Sequence, residues 1–208
     1  MNHLDEFQNA WDNPEFVKIE LAPLDVNQVL ARSYRSTPSL SMTKTQLWDM
    51  ETHKASRPDL FIPSVIKAGS AASWGYSRNG KADLFTRVSK QRLWLDDSFY
   101  GTVIESVRVD HTAKVVTFIG EAHANSPEHG EFNATDKQPL FHVQHGVIGD
   151  EHNPQNTWKI VHLTSKNRSA LERLFEKMNH AQLLPEYIEI YLREVTKINL
   201  QRIAEENS

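Results

Sequence analysis

The chain predicts an α+β fold in which an antiparallel sheet packs on a long C-terminal helix, and three observations carry that expectation. Apolar residues recur in steps of three and four at Leu171, Leu174, Phe175 and Met178, then at Leu184, Ile188, Tyr191, Val195 and Ile198, giving a helix over Ser169 to Asn207 one greasy face. Ahead of it, short β-like runs follow one another at roughly 70–78, 82–95, 100–110, 114–124, 139–148 and 157–165. Asn79-Gly80, Asp96-Asp97 and Asp110 to Ala113 suit tight reversals between these runs, which makes the sheet an antiparallel meander. Such a helix cannot bury its stripe alone, and the strands supply the surface it needs.

The elements follow in order. Residues 1–24 carry Trp11 and Phe16 but no sustained period, with breaks at Pro14 and Pro23, and read as an N-terminal arm ahead of a domain over 25–208. Val26 to Ser36 reads as a first strand, ended by Thr37-Pro38-Ser39. Thr43 and Gln46 have the spacing of a capping box and open a short helix through Leu47, Met50 and Lys54 that stops before Pro58. A further helical turn fits Asp59 to Ile66. The segment Asn125 to Lys137, with Pro127 and Gly130, reads as a mobile surface loop. Ser169 and Glu172 repeat the capping-box spacing at the head of the terminal helix, and Pro185 kinks that helix or splits it in two.

Composition narrows the function classes. With 39% hydrophobic and 24% charged residues, the 208-residue chain suits one soluble globular domain. Its formal charge of −4 and lack of a basic block argue against nucleic acid as a partner. Without Cys, disulfides, thiolate catalysis and cysteine-ligated zinc are excluded. No apolar run reaches membrane-spanning length and the first residues are polar, so neither an anchor nor a signal peptide is expected and the cytoplasm is the default location. No phosphate loop, nucleophile elbow or dinucleotide fingerprint is present, so no nucleotide cofactor is expected.

Hairpin arithmetic then brings charged residues together. A reversal near Asp96 and Asp97 sets Arg87 opposite or nearly opposite Glu105, and the next reversal sets Glu105 near Phe118. Alternation places Phe85, Arg87, Val103, Glu105, Val107, Val116 and Phe118 on one buried face, and Thr86, Lys90, Thr102, Ser106, Arg108 and Thr117 on the other. A cation and an anion on an apolar face are tolerable only as a pair.

The element order resembles the START-like, helix-grip (SRPBCC) superfamily. The run from Thr43 to Val65 is similar to the opening motif of its AtaL-like branch, with Thr43, Leu47, Trp48, Lys54, Ala55, Pro58, Phe61, Ile62 and Pro63 in the motif positions. The superfamily's Arg-on-one-strand, Glu-on-the-next pattern falls on Arg87 and Glu105. The resemblance implies a curved antiparallel sheet wrapped around the long C-terminal helix, with an internal cavity for a small apolar or aromatic molecule. It implies a polyketide cyclase or aromatase, a hydrolase, or a binding or transport protein. A monomer or homodimer is expected. The N-terminal arm and the long loop depart from the family pattern at the cavity mouth.

Arg87, Glu105 and His145 are the candidate catalytic residues, since an acid and a base in an apolar cleft can orient a phenol or carbonyl and move a proton. A structural ion pair bridging two strands also accounts for Arg87 and Glu105, and it outweighs the functional reading, because ion-pair networks perturb pKa without catalysing anything. His142 and His145 lie three apart on a strand, which sends their imidazoles to opposite faces and argues against a shared metal; His145, on the side of Phe141, Val143 and Val147, is the cavity candidate. Trp48, Phe85, Phe118, His162, Tyr187 and Tyr191 are candidate ligand contacts, although core packing explains the tyrosines as well. Metal-dependent carbon–carbon hydrolases of the superfamily use a His-x-x-x-Glu pair on the terminal helix; here Leu184 stands four residues after His180, so no metal is expected. The leading expectation is a cofactor-free enzyme of secondary metabolism, with a noncatalytic carrier as the alternative.

Overall fold

The computed structural model describes residues 2–180 and 182–203. Its frame is a seven-stranded antiparallel sheet formed by β1 (Val17–Asp25), β3 (Ala72–Asn79), β4 (Ala82–Arg92), β5 (Tyr100–Asp110), β6 (Val115–Glu121), β9 (Phe141–Gly149) and β10 (Pro154–His162), in the spatial order β1-β10-β9-β6-β5-β4-β3. The C-terminal α5 (Arg168–Asn179) and α6 (Glu186–Ile190) close one face of the sheet in a helix-grip arrangement, together with α3 (Lys44–Ser56). Valines and phenylalanines on the period-two positions of β5 and β6, among them Val103, Val107, Val116 and Phe118, meet Leu47, Met50, Phe175 and Ile188 from the helices in one core.

The meander follows the expected reversals. Arg87 pairs with Glu105 across β4 and β5, within the expected register. Across β5 and β6 the register is two residues from expectation: Glu105 faces Gly120, and Phe118 faces Val107. A slip of two preserves the face, so the predicted buried side of this hairpin stands.

Other elements depart from expectation. Residues 1–24, read as an arm, hold α1 (His3–Asp12) and most of β1, which pairs with β10 at one edge of the sheet. α1 covers the outer face, where Phe7 and Ala10 pack with Ile119 and Val161. Val26 to Ser36 is not one strand but α2 (Val26–Ser33) followed by β2 (Tyr34–Thr37). Asp25 caps this helix by accepting from the Gln28 N–H, and Val26, Val29 and Leu30 form its buried face at helical spacing, which outweighs the β-branched content. The segment expected to be a mobile loop is largely a hairpin of β7 (His123–Ser126) and β8 (Gly130–Asn133), and Phe132 stacks on Trp74 with ring centroids 5.7 Å apart.

Thr43 and Gln46 form the expected capping box of α3, and the short α4 (Pro58–Phe61) follows it. The Ser169 and Glu172 box does not form: α5 begins at Arg168 after Asn167 in the left-handed region at φ 58°, with no side-chain cap. Of the two expected outcomes at Pro185, a kink or a split, the terminal helix shows the split, and α6 runs on into a π-helical turn, Tyr191–Val195. Lys197, at φ 58°, ends it, and β11 (Asn199–Arg202) returns to pair with β2. The buried Glu189 carboxylate, gripped by Tyr34, Arg193 and Arg202, ties these pieces together. The expected helix end at Asn207 lies outside the described residues. Among the described residues no helix is long and apolar enough to cross a membrane.

Candidate functional site

Between sheet and helices lies a cavity of about 770 Å³. The ends of β1 and α2 and the linker between α5 and α6 line its mouth; Trp94, Phe118, Phe141, Val143 and Trp158 supply its apolar wall. Among the polar residues that line it are Arg87, Glu105, His145 and Asn156 from four strands and Lys54 and Tyr187 from two helices.

Arg87, Glu105 and His145 all reach the cavity. The Arg87 Nε donates to Glu105 Oε2 at 2.7 Å, its Nη1 donates to the Ala55 carbonyl at 2.8 Å, and its guanidinium lies 4.2 Å from the centre of the Phe118 ring. These contacts balance a buried pair that would otherwise be costly to desolvate. Of the six proposed ligand contacts, Phe118 and Tyr187 line the cavity. The others have different surroundings. Trp48 donates from Nε1 to His111 Nδ1, Phe85 stacks on Tyr76, and Tyr191 donates to Asp49 Oδ2 at 2.8 Å. His162 is fully buried among Trp94, Phe141 and Phe175, with neither ring nitrogen hydrogen-bonded, and burial lowers its pKa from 6.5 to about 4.

Sequence reasoning missed the other half of the polar end of the cavity. Lys54, buried on α3, has its Nζ 2.9 Å from Glu51 Oε1, 2.7 Å from Glu51 Oε2 and 2.8 Å from His145 Nδ1, and lies 3.9 Å from the centre of the Tyr187 ring. Asn156 on β10 donates from Nδ2 to Glu51 Oε1 at 2.9 Å and to the Gly146 carbonyl at 3.2 Å, while its Oδ1 accepts from the Tyr187 hydroxyl at 2.8 Å. The available signal was that Glu51 and Lys54 fall on the helical stripe of Leu47, where solvent-facing charges do not belong.

Electrostatics follow from this burial. Desolvation would raise Glu51, but Lys54 and His145 reverse it and bring the carboxyl down to about 2. Lys54 is lowered to about 8, because desolvation and the neighbouring Arg87 together exceed the support from Glu51. His145 is lowered from 6.5 to about 4 by desolvation and by the Lys54 charge, against the pull of Glu51. Burial raises Tyr187 well above its ordinary value, and the Glu51 charge adds to that.

His142 and His145 face opposite sides, as their spacing requires: His142 Nδ1 accepts from the Gly120 N–H at 3.1 Å on the outer face. Among the described residues no group of three or more His, Asp or Glu side chains gathers in a way that could hold a metal ion.

No family model matches the chain, and no curated protein does. Solved structures do resemble it. A dicamba monooxygenase bound to 3,6-dichlorosalicylic acid matches with a TM-score of 0.54 at 5% identity, over 90% of this chain and 52% of that one. The likeness is one of fold. Weaker matches are the Zhui aromatase/cyclase from Streptomyces sp. R1128, with a TM-score of 0.49 at 10% identity over 86% of this chain and 95% of that one, and Ara h 8.0201, with 0.48 at 7% identity over 84% and 97%.

Proposed function

We propose that the chain binds a small, largely apolar molecule, aromatic or polyketide-like, and rearranges it by proton transfer as a cofactor-free, cyclase- or aromatase-like enzyme of secondary metabolism. The AtaL-like motif over Thr43 to Val65 is part of this reading. The observation that carries it is the convergence of Glu105, Arg87 and His145 on one apolar cavity of about 770 Å³. Glu105 accepts from Arg87 through Oε2, which leaves its second carboxylate oxygen, Oε1, to take a proton. Its guanidinium neighbour orients it. The aromatic wall stacks on a planar ligand and excludes water, which strengthens every polar contact at the reacting end.

A second reading is a carrier in which the same groups only orient the ligand. What favours it is that Arg87 is already held by Glu105 and the Ala55 carbonyl, as in a purely structural pair. One experiment separates the two. α-Tetralone is offered in deuterated buffer; binding is followed by Trp94 and Trp158 fluorescence and exchange of its acidic C–H by NMR. Enzyme-accelerated exchange that drops about a hundredfold or more in Glu105→Gln supports proton transfer. Binding without accelerated exchange supports the carrier, and no binding removes both.

A further inference from the structure

We propose that Glu51 and Lys54 order the protons of the cavity so that His145 is held as a hydrogen-bond donor, and that the cavity therefore selects ligands presenting a carbonyl oxygen or an oxyanion to it. The inference rests on the proton-transfer reading for its ligand and on donor bookkeeping for its mechanism.

The bookkeeping starts at Glu51, a fully buried carboxylate that can only accept. Two donors converge on it, the Lys54 ammonium at 2.7 and 2.9 Å and Asn156 Nδ2 at 2.9 Å. An ammonium has three donors and no acceptor, so at the third neighbour of Lys54, His145 Nδ1 at 2.8 Å, the imidazole nitrogen must accept. A neutral imidazole that accepts at Nδ1 carries its proton on Nε2. Burial and the adjacent Lys54 charge keep the ring neutral, since they lower it from 6.5 to about 4. Among the described residues Nε2 has no partner, and the His145 side chain retains 14% exposure, on the cavity.

The second arm is ordered from the same carboxylate. Asn156 spends Nδ2 on two acceptors, Glu51 and the Gly146 carbonyl, which turns its Oδ1 to Tyr187 and obliges the phenol to donate there. Tyr187 is left with oxygen lone pairs, so the acidic N–H aimed at the ligand from this network is that of His145.

His145 is thus not the base of the resting protein. In the proton-transfer step, Glu105 takes the C–H proton next to a carbonyl, the C–H electron pair moves into the enolate, and Nε2–H stabilises the oxygen on which charge develops. No electron is gained or lost overall. Glu51 and Lys54 act through His145 and are positioning residues.

The test has two arms. With 15N-labelled histidine, and His145→Phe to assign the signal, the wild-type protein near neutral pH is expected to show His145 neutral with its proton on Nε2. Lys54→Met is expected to mix the tautomers and return the ring toward its ordinary 6.5. A proton on Nδ1 in the wild type, or an unchanged tautomer in Lys54→Met, overturns the proposal; should Lys54→Met fail to fold, the wild-type spectrum still decides. In the second arm, α-tetralone is expected to bind about tenfold tighter than tetralin, which lacks the acceptor, with the preference lost in His145→Phe. Equal wild-type affinity for both overturns the selection. If neither binds while the Nε2–H tautomer is seen, the cavity-binding reading fails and the proton ordering stands.

Discussion

Replacing Glu105 by Gln is expected to unfold the protein at markedly lower temperature, and the size of the effect follows from the surroundings of the pair. The Glu105 and Arg87 side chains are only 4% and 6% exposed, so water cannot take over the counter-ion's role once the charge is gone. Breaking such a pair costs roughly 3–5 kcal/mol, because one ion is left buried without its partner. The Gln oxygen can still accept from Arg87 Nε, and the Ala55 carbonyl still holds Nη1, which puts the expected loss at the lower end, about 3 kcal/mol. For a chain of this size that is a fall of about 6–12 °C in Tm, read by circular dichroism. The double variant Arg87→Met with Glu105→Leu leaves no stranded charge and is expected to cost less than the two single changes together. A Glu105→Gln melting curve within about 2 °C of the parent, or additive losses in the double variant, would refute the account of the pair as buried and mutually dependent.

Three further outcomes are expected. As pH falls, an unfolded His162 protonates through 6.5 while the buried imidazole resists to about 4, so the unfolded state binds more protons and stability drops across that window. This amounts to about 3 kcal/mol for the one group; urea titrations of His162→Leu should show a flatter pH dependence, and an unchanged slope would rule the group out. Gly120→Ala should destabilise by roughly 1–3 kcal/mol, because the added Cβ would meet the Phe141 carbonyl oxygen at 2.4 Å and that backbone cannot yield without disturbing β9; calorimetry of the variant checks it. Treatment with a strong chelator should leave Tm unchanged; a fall reversed by added zinc would reveal a site that the dispersed histidines do not suggest.

What was legible in the sequence is what depends on neighbours along the chain. The pairing of Arg87 with Glu105 follows from one reversal and a period of two, and the opposed directions of His142 and His145 follow from the same period. The Thr43 and Gln46 cap is equally local. The terminal assembly is not: β11 forms because β2 is there to receive it, and Glu189 brings together groups more than 150 positions apart in the chain, such as Tyr34. Glu51 and Lys54 escaped notice because an acid and a base at i and i+3 look like any solvent-exposed helix pair. Only the packing of α3 against β9 and β10 makes them the charged end of a cavity, joined there by Asn156 from a strand that starts earlier than its β-branched residues suggest.

The sheet's two outer strands are each interrupted. In β1 the register breaks between Leu21 and Leu24, around Pro23, which has no N–H to offer; in β3 it breaks between Trp74 and Ser77, where Gly75 takes φ 70°. A long, regular edge would present a continuous ladder of unpaired N–H and C=O groups to the same strand of another molecule, the first step of fibre growth. Here each edge offers only a few groups in register before the backbone turns away. Strand addition at either edge of the seven-stranded sheet is therefore disfavoured by the same two breaks that shorten its outer ladders.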